Sequence, residues 1–318
     1  MIEPVRLPPP AGPGDRVGIA ALSGPVKPER LAAGMAELRR LGFEPVLADN
    51  LLAKSRYGLF AGDDEERLAA FHRLAADPDL PAIFFARGGS GLLRILPAVD
   101  WDLLARHPRA YVGYSDLTPF LFGVVARLRL VAFHGPLVAG ELAGGLDAAE
   151  EGSLLGALAG RYPAALPFDA WLRPPRSATH LGKRGRVSGP LLGGCLSLLA
   201  GTLGTPFFPD LSRCILFWED VNEPPYRVDR MLTHLRLSGT LAGIEAMIVG
   251  HIDGGEASRP DPLAVPEWPA VVEDSLASFD WPLAWGLASG HLRPNLTLPL
   301  GMTASLTTED RQLWLGEG

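Results

Sequence analysis

The chain has 318 residues, 47% of them hydrophobic and 20% charged, with a formal net charge of −7. At about 100–200 residues per domain this composition predicts two globular domains, and no Lys/Arg stripe is present to hold a nucleic-acid backbone, which excludes nucleic acid as a partner. Residues 1–10 lack a basic n-region followed by an apolar h-region, and no stretch reaches the ~18 apolar residues of a membrane span, so a cytoplasmic protein off the membrane is expected.

Arg16 to Leu22 is a short apolar run that stops at Ser23-Gly24-Pro25, which predicts a buried strand entering a loop. From Pro28 to Leu41 the residues Leu31, Met35, Leu38 and Leu41 recur at helical spacing, and Gly42 suits the helix end. Phe43 to Leu47 predicts a second strand, Asp64 to Ala76 an amphipathic helix, and Ala82 to Ala86 a third strand. The alternation predicts a mostly parallel sheet with helices on both faces, in which ligands gather beyond the carboxyl ends of the strands. Arg109 to Gly113 then predicts a strand and Leu117 to Arg127 a helix, with Ser115 on the turn between them. A Pro-rich stretch over 161–185 is read as a connection between a domain at 1–160 and one at 186–318. Strands at Cys214 to Trp218 and Ala246 to Gly250, with a helix near Val228 to Leu237, belong to the second domain. Cys195 and Cys214 are too few for a disulfide framework and are expected in the core.

Ser115 stands where a tight strand-to-helix turn would lift its hydroxyl clear of the backbone and turn nearby N–H groups, that of Asp116 included, toward a developing oxyanion. Ser-Asp is equally a helix N-cap pattern, and no glycine stands at residue 117, so local pattern leaves both roles open. Arg87-Gly88-Gly89-Ser90-Gly91 follows a strand and offers unhindered N–H groups to an anion, or is a turn that needs positive φ. Glu219, Asp220 and Glu223 cluster after the strand ending at Trp218. One of them can orient a histidine and others read an ammonium, while Asp220 is assigned to a solvated loop. His72 and His234 fall in helices, His107 and His180 in loops, and His134 and His251 at strand ends. His291, in Ser289-Gly290-His291-Leu292-Arg293-Pro294-Asn295, is the best-placed general base. No His-Glu-x-x-His or comparable ligand spacing is present, and neither a metal nor another cofactor is expected.

In order along the chain, Gly14-Asp15-Arg16-Val17, Arg87-Gly88-Gly89, Gly113-Tyr114-Ser115-Asp116, Gly193-Gly194, Glu219-Asp220, Pro225 to Arg230 and Gly290-His291 with Pro294-Asn295 resemble the LD-carboxypeptidase family of serine peptidases. That family includes muramoyl-tetrapeptide carboxypeptidases and microcin C immunity peptidases. The resemblance implies an N-terminal Rossmann- or flavodoxin-like domain and a smaller C-terminal swivelling barrel-like α/β domain. It also implies a triad of Ser115, Glu219 and His291, with the N–H groups of Asp116 and of Gly88 or Gly89 as oxyanion hole. The family reaction is removal of the terminal D-alanine from a cytoplasmic muropeptide tetrapeptide in peptidoglycan recycling, through an acyl-enzyme, by a homodimer. Arg87 is a candidate for the substrate carboxylate or a purely structural side chain, and Glu223 for a side-chain ammonium. Ser90 and Cys195 depart from the family pattern, which often has an aromatic residue and Asn there. Two alternatives stand beside this: an immunity-type peptidase acting on a peptidyl-nucleotide toxin, and a muropeptide-binding protein without catalysis.

Overall fold

The computed structural model describes residues 5–162, 165–174, 186–253, 268–307 and 310–316. The chain divides into two compact units, Met1–Tyr162 with Asn295–Gly301, and Pro163–Pro294 with Met302–Gly318.

The first unit alternates β1 (Arg16–Ala20), α1 (Pro28–Arg40), β2 (Glu44–Leu47), α2 (Asp64–Ala76), β3 (Ala82–Phe85), α3 (Leu92–Ile95), α4 (Trp101–Arg106), β4 (Ala110–Gly113), α5 (Thr118–Leu128), β5 (Ala132–His134) and α6 (Ala148–Leu158). The second unit holds β6 (Ala165–Pro167), β7 (Ala170–Arg173), β8 (Arg186–Cys195), α7 (Leu196–Thr202), β9 (Ile215–Val221), α8 (Pro225–Leu237), β10 (Ala246–Asp253), α9 (Trp268–Ser275) and β11 (Leu283–Trp285). The chain then returns to the first unit as β12 (Leu298–Leu300) and ends in the second as β13 (Thr303–Thr307) and β14 (Gln312–Leu315).

The first sheet runs β12-β5-β4-β3-β1-β2, parallel except for β12, which pairs antiparallel with β5. Its 2-1-3-4-5 order is the flavodoxin-like winding, whose switch point lies between β1 and β3. Buried strands such as Ala82–Phe85 can be apolar at every position because both faces of a parallel sheet are covered. Phe71, Phe85, Tyr111 and Phe120 form an aromatic cluster in this core, with ring centroids 5.3–6.3 Å apart; Phe120 meets the other three edge-to-face, and Phe71 is tilted against Phe85 and Tyr111. α2 starts on a capping box, with Asp63 accepting from the Glu66 N–H at 2.8 Å and Glu66 from the Asp63 N–H at 2.9 Å.

The second sheet runs β6-β14-β13-β8-β9-β10-β11-β7. β8 is long enough to serve two neighbours: Arg186 to Pro190 pair antiparallel with β13, and Leu191 to Cys195 parallel with β9. The two outermost strands, β6 and β7, are separated only by Phe168 and Asp169. Their N–H groups donate to Arg311 on one side and Trp285 on the other, so the sheet curls round on itself like a barrel. The stretch 161–185 is therefore not only a connection, since its described residues supply two strands of this sheet. Its residues 163–164 and 175–185, His180 included, lie outside the described residues. The other departure is residues 295–301, expected in the C-terminal domain, which add β12 to the first sheet.

Two helical glycines give an internal test of packing. A Cβ on Gly34 of α1 would lie 1.8 Å from the Val138 carbonyl oxygen, whereas one on Gly152 of α6 would meet nothing within 4 Å. Denaturant unfolding should therefore show Gly152→Ala stabilising by about 0.5–1 kcal/mol. Gly34→Ala should destabilise by about 1–3 kcal/mol despite the same gain in helix propensity.

Candidate active site

β4 ends at Gly113, where a Cβ would lie 2.8 Å from Phe85 Cδ2, so only glycine lets β4 and β3 approach this closely. Two residues on, Ser115 takes φ 64, the left-handed region that a non-glycine residue enters at a cost of about 1–3 kcal/mol. The chain turns through 3-10 geometry at Ser115–Leu117 into α5, and Thr118 Oγ1 donates to the Ser115 carbonyl at 2.8 Å. The N-cap residues of the 3-10 turn and of α5 are Tyr114 and Leu117, so Ser115 occupies neither cap position and sits instead in a left-handed strand-to-helix turn, the backbone geometry of a nucleophile elbow.

Gly88 packs directly on this turn. A Cβ there would lie 2.9 Å from both Cβ and Oγ of Ser115 and 3.6 Å from the Asp116 nitrogen, so the bare Cα leaves room for the hydroxyl. The Gly88 carbonyl accepts from Gly24 N at 2.9 Å, which ties the loop after β3 to the loop after β1 at the sheet's switch point. Gly89 is left-handed at φ 106. Asp116 is buried and accepts from Leu92 N at 3.0 Å. Burial pushes its carboxyl above the usual range, while the Leu92 N–H and the Arg67 charge pull it back. Arg87 is exposed and donates to the Pro25 carbonyl at 2.7 Å, which fixes its side chain along the same loop.

In the second unit Glu219 and His291 come together. Glu219 is wholly buried in β9, and its Oε2 lies 2.5 Å from His291 Nδ1 and 3.2 Å from the His291 main-chain nitrogen. A carboxylate only accepts, so Nδ1 donates the hydrogen, and in the neutral imidazole the lone pair is then on Nε2. Gly290 makes this approach possible: at φ 127 a Cβ there would lie 2.8 Å from Glu219 Cβ and Oε2.

Asp220, expected in a solvated loop, is instead buried inside β9, which runs on to Val221. It accepts from Ser197 N at 2.7 Å and Val221 N at 2.8 Å, and Cys195 Sγ lies 3.3 Å away. Burial, with Glu219 next, pushes its pKa up to about 6. Burial and the same two carboxylates push the Cys195 thiol up, which keeps it a donor to Asp220. The signal that could have placed Asp220 is Cys195-Leu196-Ser197, where β8 passes into α7 and leaves a thiol and a first-turn helix N–H that need an acceptor beside β9. Glu223 lies just beyond β9 and faces Arg227 Nη1 at 3.5 Å, an exposed i,i+4 pair of small energetic weight. His134 is buried at the end of β5, His72 Nε2 accepts from Asp100 N at 3.1 Å, and His251 Nδ1 lies 3.0 Å from the Leu292 carbonyl.

The model of the LD-carboxypeptidase N-terminal domain matches residues 17–135, and that of the C-terminal domain residues 188–306. A probable murein peptide carboxypeptidase of Bacillus subtilis is 33% identical over 94% of this chain and 90% of its own. The crystal structure of a muramoyltetrapeptide carboxypeptidase from Oxalobacter formigenes is 30% identical with TM-score 0.82, over 95% of this chain and 99% of that one. The microcin C7 self-immunity protein MccF of Escherichia coli is 28% identical over 97% of this chain and 95% of its own. A structure of MccF in complex with aspartyl sulfamoyl adenosine has TM-score 0.82 at 25% identity, over 98% of this chain and 99% of that one.

Asp220 gives a signed pH test. Its folded pKa of about 6 lies above the unfolded value, so the folded state holds the extra proton, and stability is lost as pH rises through 6. Urea unfolding should show the stability of the wild type, relative to Asp220→Asn, falling by roughly 2–3 kcal/mol between about pH 4 and about pH 7. A difference that is flat or rises with pH would contradict the buried assignment.

Proposed function

The chain belongs to the LD-carboxypeptidase family and is a serine-type carboxypeptidase, and from that premise we propose that Ser115, Glu219 and His291 form its triad and that its substrate is a muropeptide tetrapeptide. Its product would be the free terminal D-alanine, released by cutting an L,D bond during cytoplasmic peptidoglycan recycling. The observation that carries this is the 2.5 Å contact between buried Glu219 and His291 Nδ1, which leaves Nε2 as base.

In this mechanism His291 Nε2 takes the proton from the Ser115 hydroxyl as Oγ attacks the carbonyl carbon of the penultimate residue. Glu219 holds the imidazole in the required tautomer and stabilises its protonated form. The N–H of Asp116 and that of Gly88 or Gly89 receive the oxyanion. The bare Cα of Gly88 against Ser115 Oγ supports Gly88 for the second position. His291 then protonates the leaving amine of D-alanine, and water, deprotonated by the same nitrogen, hydrolyses the acyl-enzyme. Arg87 serves the terminal carboxylate by charge-assisted hydrogen bonds, and Glu223 receives the side-chain ammonium of diaminopimelate, exchanging Arg227 for the substrate. The assembly proposed from the family resemblance is a homodimer.

A second reading, an immunity-type peptidase cleaving an aminoacyl-nucleotide, is favoured by the likeness to MccF bound to aspartyl sulfamoyl adenosine, which equals in TM-score the likeness to the muramoyltetrapeptide carboxypeptidase. The two differ in the substrate, not in the triad.

Mass spectrometry of digests decides both points. Wild type should release D-alanine from the tetrapeptide, and Ser115→Ala, Glu219→Gln and His291→Ala should each lose at least ~10³-fold in kcat. Activity confined to an aminoacyl sulfamoyl nucleoside would replace the first reading with the second. Glu223→Gln should raise KM for the tetrapeptide by roughly 10-fold with little change in kcat. Unchanged kinetics would remove Glu223 from the substrate site.

A further inference from the structure

Arg67, on α2, is a charged residue that the proposed mechanism leaves unused, and its side chain has no solvent exposure. A guanidinium has five N–H donors and no acceptor, so burying one is costly unless acceptors are aimed at it. The acceptors here come from two loops. Nη1 donates to the Leu22 carbonyl in the loop after β1, and to the Gly91 carbonyl in the loop after β3 at 3.0 Å. Nη2 donates to Asp64 Oδ1 at 2.5 Å, and the guanidinium carbon stands 4.9 Å from the centroid of the Phe60 ring.

The Gly91 carbonyl and the Leu92 N–H belong to one peptide group. Arg67 holds its oxygen and Asp116 Oδ2 its N–H, so a single peptide plane lies between a buried cation and a buried anion. Asp116 is the neighbour of Ser115. The other loop held by Arg67 leads to Gly24, whose N–H donates to the Gly88 carbonyl, and Gly88 packs on Ser115. Gly91 is itself left-handed, with Phe60 2.5 Å and Arg67 Nη1 3.0 Å from where a Cβ would stand, so no larger residue shares this clamp.

We propose that Arg67 is a positioning residue of the reaction: by gripping the Leu22 and Gly91 carbonyls it fixes the Gly88–Gly91 loop against Ser115 and keeps the oxyanion donors aimed. This rests on the reading of Ser115 as nucleophile with Gly88 or Gly89 in the oxyanion hole. An apolar side chain of similar volume would fill the same space without holding either carbonyl. Oxyanion donors act on the transition state far more than on bound substrate, so loss of aim lowers kcat and spares KM.

The test is steady-state kinetics, per folded molecule, on whichever of the two substrates the wild type hydrolyses. Arg67→Lys keeps the charge but not the planar fork, and should lower kcat by ~10–100-fold with KM within about 2-fold. Asp64→Asn, which loosens the half-exposed side of the grip without entering the core, should lower kcat by ~3–10-fold with KM likewise unchanged. Ser115→Ala in the same assay separates the two levels. If Ser115→Ala still turns over, the nucleophile reading falls and the proposal falls with it. If Ser115→Ala is inactive while folded Arg67→Lys and Asp64→Asn keep the wild-type kcat, or change KM alone, the proposal is overturned and the nucleophile reading stands.

Discussion

A serine held at φ 64 does not stay there unaided, and the geometry around Ser115 reads as the means of holding it. Parallel pairing of β4 with β3 and β5 fixes the approach, and Thr118 and the start of α5 fix the exit. Between them Gly113 and Gly88 each give up a side chain that would collide, with Phe85 in one case and with Ser115 itself in the other. The strain is small beside the burial in β3, β4 and α5, which is why a packed apolar scaffold can maintain it.

The second unit solves a different problem, that of keeping a charged group where water does not reach. Glu219 is met by two donors from one residue, the ring and the main chain of His291, so the carboxylate that needs the histidine also sets its orientation. Asp220, its neighbour on β9, points its oxygens at Ser197 and Val221 and braces the β8–α7 junction. Burial first, and then repulsion from the adjacent Glu219 carboxylate, raise the pKa of Asp220.

The winding of the first unit was legible because each strand and helix carries its period locally: the α2 reading, Asp64 to Ala76, matches the observed helix end to end. What was not legible depends on distant pairing. β6 and β7 are strands of three and four residues within a Pro-rich stretch, too short to show alternation, and they exist because β14 and β11 pair with them. The return of Leu298–Leu300 to the first sheet has the same cause. Asp220 reads as solvated because it is charged and follows an apolar run, whereas its burial is matched by donors far upstream in the chain, the Cys195 thiol at the end of β8 and the Ser197 N–H in the first turn of α7. The candidate site residues come from chemistry and order rather than local pattern: Ser-Asp alone reads equally as a cap, and the left-handed turn with a glycine packed on it is what the sequence does not display.

The most direct test of Ser115 as nucleophile is rapid-quench mass spectrometry of the wild type mixed with the tetrapeptide, followed by peptide mapping. The account predicts a tripeptide acyl mass on the peptide carrying Ser115, released by water on longer incubation. Turnover with that mass on another residue, or with none on Ser115, would contradict it.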